Sequence, residues 1–166
     1  MSRQLGLFIT IFMTSFVVFG CSKMKTSIEK SESTLIEDAN QGDVSAAHAL
    51  CYRYSYGVNI EADDKKAFYW CERATITQDP RSMTLLADLF YEGRGTEKNY
   101  RKAAKLYYFA AERGIEKAMF MLYHIYANGQ GVVKDETEAK YYLNRAAQRN
   151  YQPALELKQK LFLDDV

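Results

Sequence analysis

Apolar and small residues recur at helical spacing along the chain, and the whole pattern returns 36 residues later. Ala46, Leu50 and Tyr54 form one i, i+4, i+8 stripe, Ser82, Leu86 and Phe90 a second, and Ala118, Leu122 and Tyr126 a third. Such a stripe occupies one face of an α-helix and marks its buried side. Three residues after each closing aromatic stands a glycine, Gly57, Gly93 or Gly129. A glycine there takes the left-handed conformation that ends a helix without steric cost. A second helix is predicted after a short loop. Asp63, Asn99 and Asp135 each stand four residues before Ala67, Ala103 or Ala139, and all three are N-cap types whose side chains accept from first-turn amides. Asp43 and Asp79 precede the first helix in the same way, and Pro80 suits a first helical position, where a missing amide costs little.

The unit is therefore a pair of helices, A then B, with full copies at about 43–78, 79–114 and 115–150. The register extends outward. Gly42 lies 72 residues before Gly114, which puts Ile28 to Gln41 (28–41) in a helix B slot; Ala154 and Phe162 fall in the slots of Ala118 and Tyr126, which makes 151–163 a lone helix A. The expected fold class is all-α, an α/α solenoid of about three 36-residue helix-pair repeats between capping helices, with the repeat domain over 28–166. End repeats face water on one side and should be more polar; Lys158, in a buried-leucine slot, and Ser31 and Asp38 fit that. The repeat also reinterprets the stretch YEGRGTEKNYRKAAKLYYFAAERG from Tyr91 to Gly114. Its glycines return in register, and no copy has the Gly-Lys-Ser/Thr ending of a phosphate-binding loop.

The 166 residues suit one domain, 48% hydrophobic and 14% aromatic, enough to bury a core. The formal net charge of +1 gives no field for nucleic acid, and none is expected as a partner. Residues 1–20 differ from the rest. Arg3 is their one charge, and an apolar run from Leu5 to Phe19 ends at Gly20. That run has the length of a signal-peptide core and is short for a membrane span, which needs roughly 20 apolar residues. Without Arg3 the remaining chain holds 21 basic and 21 acidic side chains.

The stretch Val18-Phe19-Gly20-Cys21 resembles a bacterial lipobox, with Phe19 bulkier than usual. The resemblance implies cleavage after a signal peptide at 1–20, lipidation of Cys21, a polar tether through residue 27 and membrane attachment by the lipid alone. An ordinary cleaved signal and an uncleaved anchor are the alternatives. Ser22 after the cysteine implies, by the sorting rule of such lipoproteins, an outer-membrane protein of the bacterial cell envelope facing the periplasm.

The repeat resembles the Sel-one-like repeat, a relative of the tetratricopeptide repeat. Ala118, Leu122, Tyr126, Gly129, Gly131, Val132, Asp135 and Ala139 carry the pattern, and Asp63, Lys66, Ala67, Trp70 and Ala74 carry it again. Asn59 departs from it at the second loop glycine, and Cys51, Ala87 and Tyr123 replace a small glycine of helix A. The resemblance implies a right-handed superhelix that binds or assembles proteins. By analogy with tetratricopeptide repeats, the exposed positions of the concave groove are His48, Tyr52, Arg81, Thr84, Asp88, Tyr91, Phe120 and His124. If Cys21 carries lipid, Cys51 and Cys71 remain as an even pair in an oxidising compartment. They flank one A–B turn at similar heights, where tetratricopeptide geometry brings the helices together. A disulfide is expected there; two small buried thiols are the alternative.

Other chemistries find less support. Tyr54, Trp70, Tyr107, Tyr126 and Tyr142 sit at core slots, so packing accounts for them before base stacking does. The basic run from Tyr100 reads as a solvated helix face balanced by Glu97 and Glu112. His48 and His124, the two histidines, stand two repeats apart in different rows, so no metal site and no cofactor is expected. No nucleophile motif identifies catalytic residues, and the chain is not expected to be an enzyme. A cysteine-rich branch of the family is linked to β-lactam binding or hydrolysis, but its cysteine pair in every repeat is absent here. The expected function is a lipid-anchored module that holds a protein or peptide partner in its groove. A narrower alternative is an immunity protein against a toxin delivered to the periplasm, such as a phospholipase.

Overall fold

The computed structural model describes residues 30–164, with side chains to residue 161; the signal-peptide stretch, Cys21 and the tether lie outside the described residues. Eight α-helices follow one another: α1 (Glu32–Asn40), α2 (Val44–Tyr56), α3 (Asp64–Ala74), α4 (Pro80–Glu92), α5 (Tyr100–Glu112), α6 (Glu116–Asn128), α7 (Glu136–Gln148) and α8 (Gln152–Asp164). Each packs on its neighbour in sequence, and α2 also touches α4. The result is an all-α stack in which α2–α3, α4–α5 and α6–α7 are the A–B hairpins.

The caps follow the sequence. Asp63 and Asp135 each accept from two first-turn amides, Asn99 accepts from Lys102, and Asp43 and Asp79 do the same for helices A. The slot of Asp43 and Asp79 in the third repeat holds Ile115, and α6 starts without a side-chain cap. Helix α1 begins at Glu32 rather than at residue 28, because Ser31 turns out to be its N-cap and accepts from Thr34. A 3-10 turn, Thr75–Thr77, extends α3 and was not legible as a separate element.

The core runs the length of the stack. Leu50, Leu86 and Leu122 are buried, and so are Ala46 and Ala118, Ala67, Ala103 and Ala139, and Ala74, Ala110 and Ala146. Burying each leucine contributes roughly 1.5–3 kcal/mol; the alanines contribute closeness, since a methyl group lets neighbouring backbones approach. Cys51 and Cys71 are joined, with α-carbons 4.7 Å apart across 20 residues of sequence. Both are fully buried between α2 and α3. Closing a loop of that length stabilises the fold by about 3 kcal/mol in the chain-entropy picture.

The second loop glycine sets the spacing between repeats. A β-carbon on Gly95 would lie 2.0 Å from the Asp64 carbonyl oxygen, and one on Gly131 2.5 Å from the Arg101 amide nitrogen. Each loop thus rests on the first turn of the preceding helix B. Asn59 holds the same slot in the first repeat and keeps the left-handed backbone, with φ at 60°. Here the preceding helix, α1, begins at Glu32, four positions past the slot of Asp64 and Tyr100. Gly95→Ala, strained in backbone and in clash, is expected to cost about 3 kcal/mol or more. Asn59→Gly should change stability by less than about 1 kcal/mol. Urea denaturation followed by circular dichroism checks both.

Candidate binding groove

The exposed faces of α2 and α4 and the start of α6 enclose two adjoining clefts. The larger, about 860 Å³, is lined by residues that include Val44, His48, Ala49, Tyr52, Asp79 and Arg81. The second, about 500 Å³, shares His48, Tyr52 and Arg81 and continues over Tyr56, Thr84, Leu85, Asp88, Ile115 and Lys117. The shared residues make them one trough.

Five of the eight expected groove residues meet here: His48, Tyr52, Arg81, Thr84 and Asp88. Their exposure differs from expectation. Tyr52 and Arg81 are exposed and His48 is half-buried. Thr84 and Asp88 are buried, which corrects the reading of them as exposed. The Thr84 hydroxyl turns back to the Pro80 carbonyl, 2.8 Å away, so it serves the helix rather than the trough. The other three residues lie outside both clefts. Tyr91 is half-buried and donates to Gln130 across the next loop, at 2.8 Å. Phe120 and His124 pack on each other at 4.7 Å, and Phe120 also meets Tyr151 at the approach to α8. They are end-packing residues, not neighbours of Tyr52. Sequence reasoning missed Tyr56 and Lys117. Lys117 had a signal, since it stands 36 residues after Arg81.

Asp88 is the hub of the trough floor. It accepts from the Tyr107 hydroxyl at 2.7 Å and from the Lys117 ammonium at 2.6 Å, tying α4 to α5 and α6. Burial pushes the Asp88 carboxyl up from the usual range, opposed by Lys117 and Tyr107. Burial alone would lower Lys117, but the Asp88 carboxylate outweighs it and raises the ammonium. Burial, reinforced by Asp88, drives the Tyr107 hydroxyl far above its ordinary value, so it stays a donor.

His48 sits in a second polar cluster. Its Nδ1 is 2.8 Å from Ser82 Oγ. Ser82 Oγ in turn donates to Asp79 Oδ2 at 2.9 Å, and the Ser82 amide donates to the same oxygen at 2.8 Å. Because the hydroxyl proton goes to the carboxylate, Oγ accepts from Nδ1–H, which fixes the imidazole tautomer and leaves Nε2 with a lone pair. Burial holds the imidazole below its ordinary pKa; Asp79 opposes this and Arg81 adds to it. Burial also lowers His124. Serine, histidine and aspartate therefore meet, but in an order that presents no nucleophile. Ser82 is fully buried, and the histidine nitrogen beside it already carries a proton. Among the described residues no group of three or more His, Cys, Asp or Glu could hold a metal ion, and no helix is long and apolar enough to cross a membrane.

The Sel1 repeat profile matches residues 44–75, 80–115 and 117–151, the three A–B hairpins. The chain belongs to the Sel1 repeat family. Its fold resembles the crystal structure of a Sel1 repeat protein from Oxalobacter formigenes, at 33% identity and a TM-score of 0.65, over 77% of this chain and 96% of that one. It also resembles c5321, a protective antigen of uropathogenic Escherichia coli with an SLR fold, at 26% identity and a TM-score of 0.69, over 74% of this chain and 26% of that one. In sequence it is similar to the Arabidopsis thaliana ERAD-associated E3 ubiquitin-protein ligase component HRD3B, 32% identical over 95 residues. That match spans 57% of this Sel1 repeat chain and only 16% of the plant protein.

Within this Sel1 repeat protein the Asp88–Lys117 pair carries a measurable load. Lys117→Met leaves a buried carboxylate short of its cation and is expected to cost about 1–3 kcal/mol. Lys134→Met, which removes an exposed pair with Glu136, should cost less than about 0.5 kcal/mol. Adding Asp88→Asn to Lys117→Met should recover part of the loss. Chemical denaturation of the three variants measures the coupling.

Proposed function

We propose that this chain is a lipid-anchored, periplasm-facing interaction module that seats a protein segment in the trough formed by α2, α4 and α6. The observation that carries the reading is the trough itself: about 860 and 500 Å³ of adjoining cleft on the helix A faces, walled by Tyr52, Tyr56, Arg81 and Val44. Tyrosine and arginine are the residues most often central to binding energy, since each combines large contact area with a polar end. A helix-pair stack offers its extended surface to segments longer than a small ligand. The plant relative's name, a ubiquitin-ligase component, describes a protein that works within an assembly. The Ser82 arrangement, buried and already proton-donating, favours binding over acyl transfer. The anchor rests on the lipobox-like Val18-Phe19-Gly20-Cys21.

Two experiments test the two halves. In pull-downs from envelope extract, Tyr52→Ala with Arg81→Ala should lose at least about tenfold of captured partner, while Tyr108→Ala with Tyr141→Ala, exposed on helices B, should lose none. Equal capture by both variants rules the trough out. For the anchor, Cys21→Ser is expected to leave the precursor unprocessed or release the protein from membranes. Unchanged fractionation together with unchanged precursor size would count against lipidation.

A further inference from the structure

The repeat register exposes an asymmetry in the trough. Arg81 and Lys117 occupy the same slot, 36 residues apart. Lys117 reaches one repeat back, 29 positions, to Asp88. The residue 29 positions before Arg81 is Tyr52, so the carboxylate that neutralises Lys117 has no counterpart for Arg81. Among the described residues Arg81 makes no ion pair or hydrogen bond, and it is exposed. It also stands at the second position of α4, where a cation faces the positive end of the helix dipole. Asp79, two positions before it, accepts from the Ser82 hydroxyl and amide through Oδ2. Beside Arg81, His48 offers an unshared lone pair. Its Nε2 has no partner among the described residues, and the side chain is 31% exposed in the cleft it lines.

We propose that the α2–α4 cleft recognises an internal segment of a partner protein that presents an acidic side chain to Arg81 and a hydrogen-bond donor to His48 Nε2. The acidic side chain takes the part that Asp88 plays for Lys117 one repeat later. An apolar neighbour in the same segment covers Val44, Ala49 and the ring of Tyr52. The two clefts join into a trough, so the chain passes through; this selects an internal Asp or Glu over a terminal carboxylate. The proposal rests on the groove reading above and adds the chemistry that the groove selects.

The test uses the full-length chain in detergent micelles and a displayed library of random twelve-residue peptides whose C-termini are fused to the display protein. Selection on the wild type should enrich peptides with an Asp or Glu at a fixed distance from an apolar residue. In anisotropy titrations the leading labelled peptide should bind Arg81→Glu at least about tenfold more weakly, and Lys105→Glu, on the exposed face of α5, as well as the wild type. Replacing the peptide's acid by Lys should restore binding to Arg81→Glu. His48→Leu should weaken binding and His48→Gln should retain more of it, with thermal melts confirming that both fold. Enrichment without an acidic position, or binding indifferent to Arg81→Glu but sensitive to Tyr52→Ala, overturns the proposal and leaves the groove standing. Failure to enrich any peptide sensitive to Tyr52→Ala overturns the groove reading with it. Loss of binding when the acid is internal, with gain when only a free C-terminus is offered, identifies the other carboxylate source and also overturns the proposal.

Discussion

A helix hairpin has more apolar surface than its own two helices can cover on each other. Everything else in this fold answers that constraint. The uncovered face must be buried against the next hairpin, and the next hairpin must arrive at the same distance and angle each time. Two devices secure it. At four boundaries spaced 36 residues apart, Gly42, Gln78, Gly114 and Asn150, the chain turns through a left-handed residue. In each case that residue's amide bonds to a carbonyl three positions back, Ala39, Thr75, Ala111 or Ala147. Between repeats, loop glycines press against helix N-termini so closely that no side chain fits. Register is thus held by backbone contacts, and side chains are left to vary.

That variation reaches the interior of the hairpins. The slot pair that holds Cys51 and Cys71 in the first hairpin holds Ala87 and Tyr107 in the second, and Tyr123 and Leu143 in the third. A covalent bridge, a small–large pair and a large–medium pair thus stand at one slot pair, and all but the partly exposed Tyr123 are buried. Tyr107 brings a hydroxyl into the core with it. A buried hydroxyl requires a partner, and Asp88 is the partner; a buried carboxylate in turn requires a cation, and Lys117 supplies it. One substitution at a packing slot therefore propagates to the floor of the trough. The arginine ties repeat in the same way. Arg73 and Arg145, 72 residues apart, reach the Ala39 and Ala111 carbonyls at 3.3 and 3.5 Å and lie over Trp70 and Tyr142.

The sequence made the fold readable because its signals were redundant. Stripe, helix B caps and terminal glycines coincided in three copies, so no single residue had to decide a boundary. Where a signal was single, the reading slipped. Ser31 looked like an ordinary polar end residue and is a cap, and Gln78, a residue type with no preference for the left-handed region, holds a boundary that glycine holds elsewhere. The groove was legible only as a set of slots. Slot position tells which way a side chain leaves the helix; it does not tell whether a neighbour has claimed it. Asp88 leaves the helix on the expected side, but its fate was set by Tyr107 and Lys117, on two other helices. Phe120 occupies the slot of His48, but there Tyr151 packs on it.

A repeat protein with identical repeats would offer a uniform surface and select nothing in particular. Specificity has to come from slots where the repeats disagree, and in this trough the disagreements cluster. The row of Tyr52 and Asp88 offers a phenol and a carboxylate at one register, continued outside the trough by His124; the row of Ser45, Arg81 and Lys117 offers a hydroxyl and two cations. Offset by one repeat, the rows pair Lys117 with Asp88 and leave Arg81 facing Tyr52. The third repeat's Lys117 is satisfied by the second repeat's Asp88, and both become structure. The second repeat's Arg81 finds no such carboxylate in the first, and lies open to solvent where α2 and α4 face each other. The same backbone register that makes one slot a half-buried strut makes its equivalent an open site, and the carboxylate that separates them is Asp88, where the preceding repeat has Tyr52.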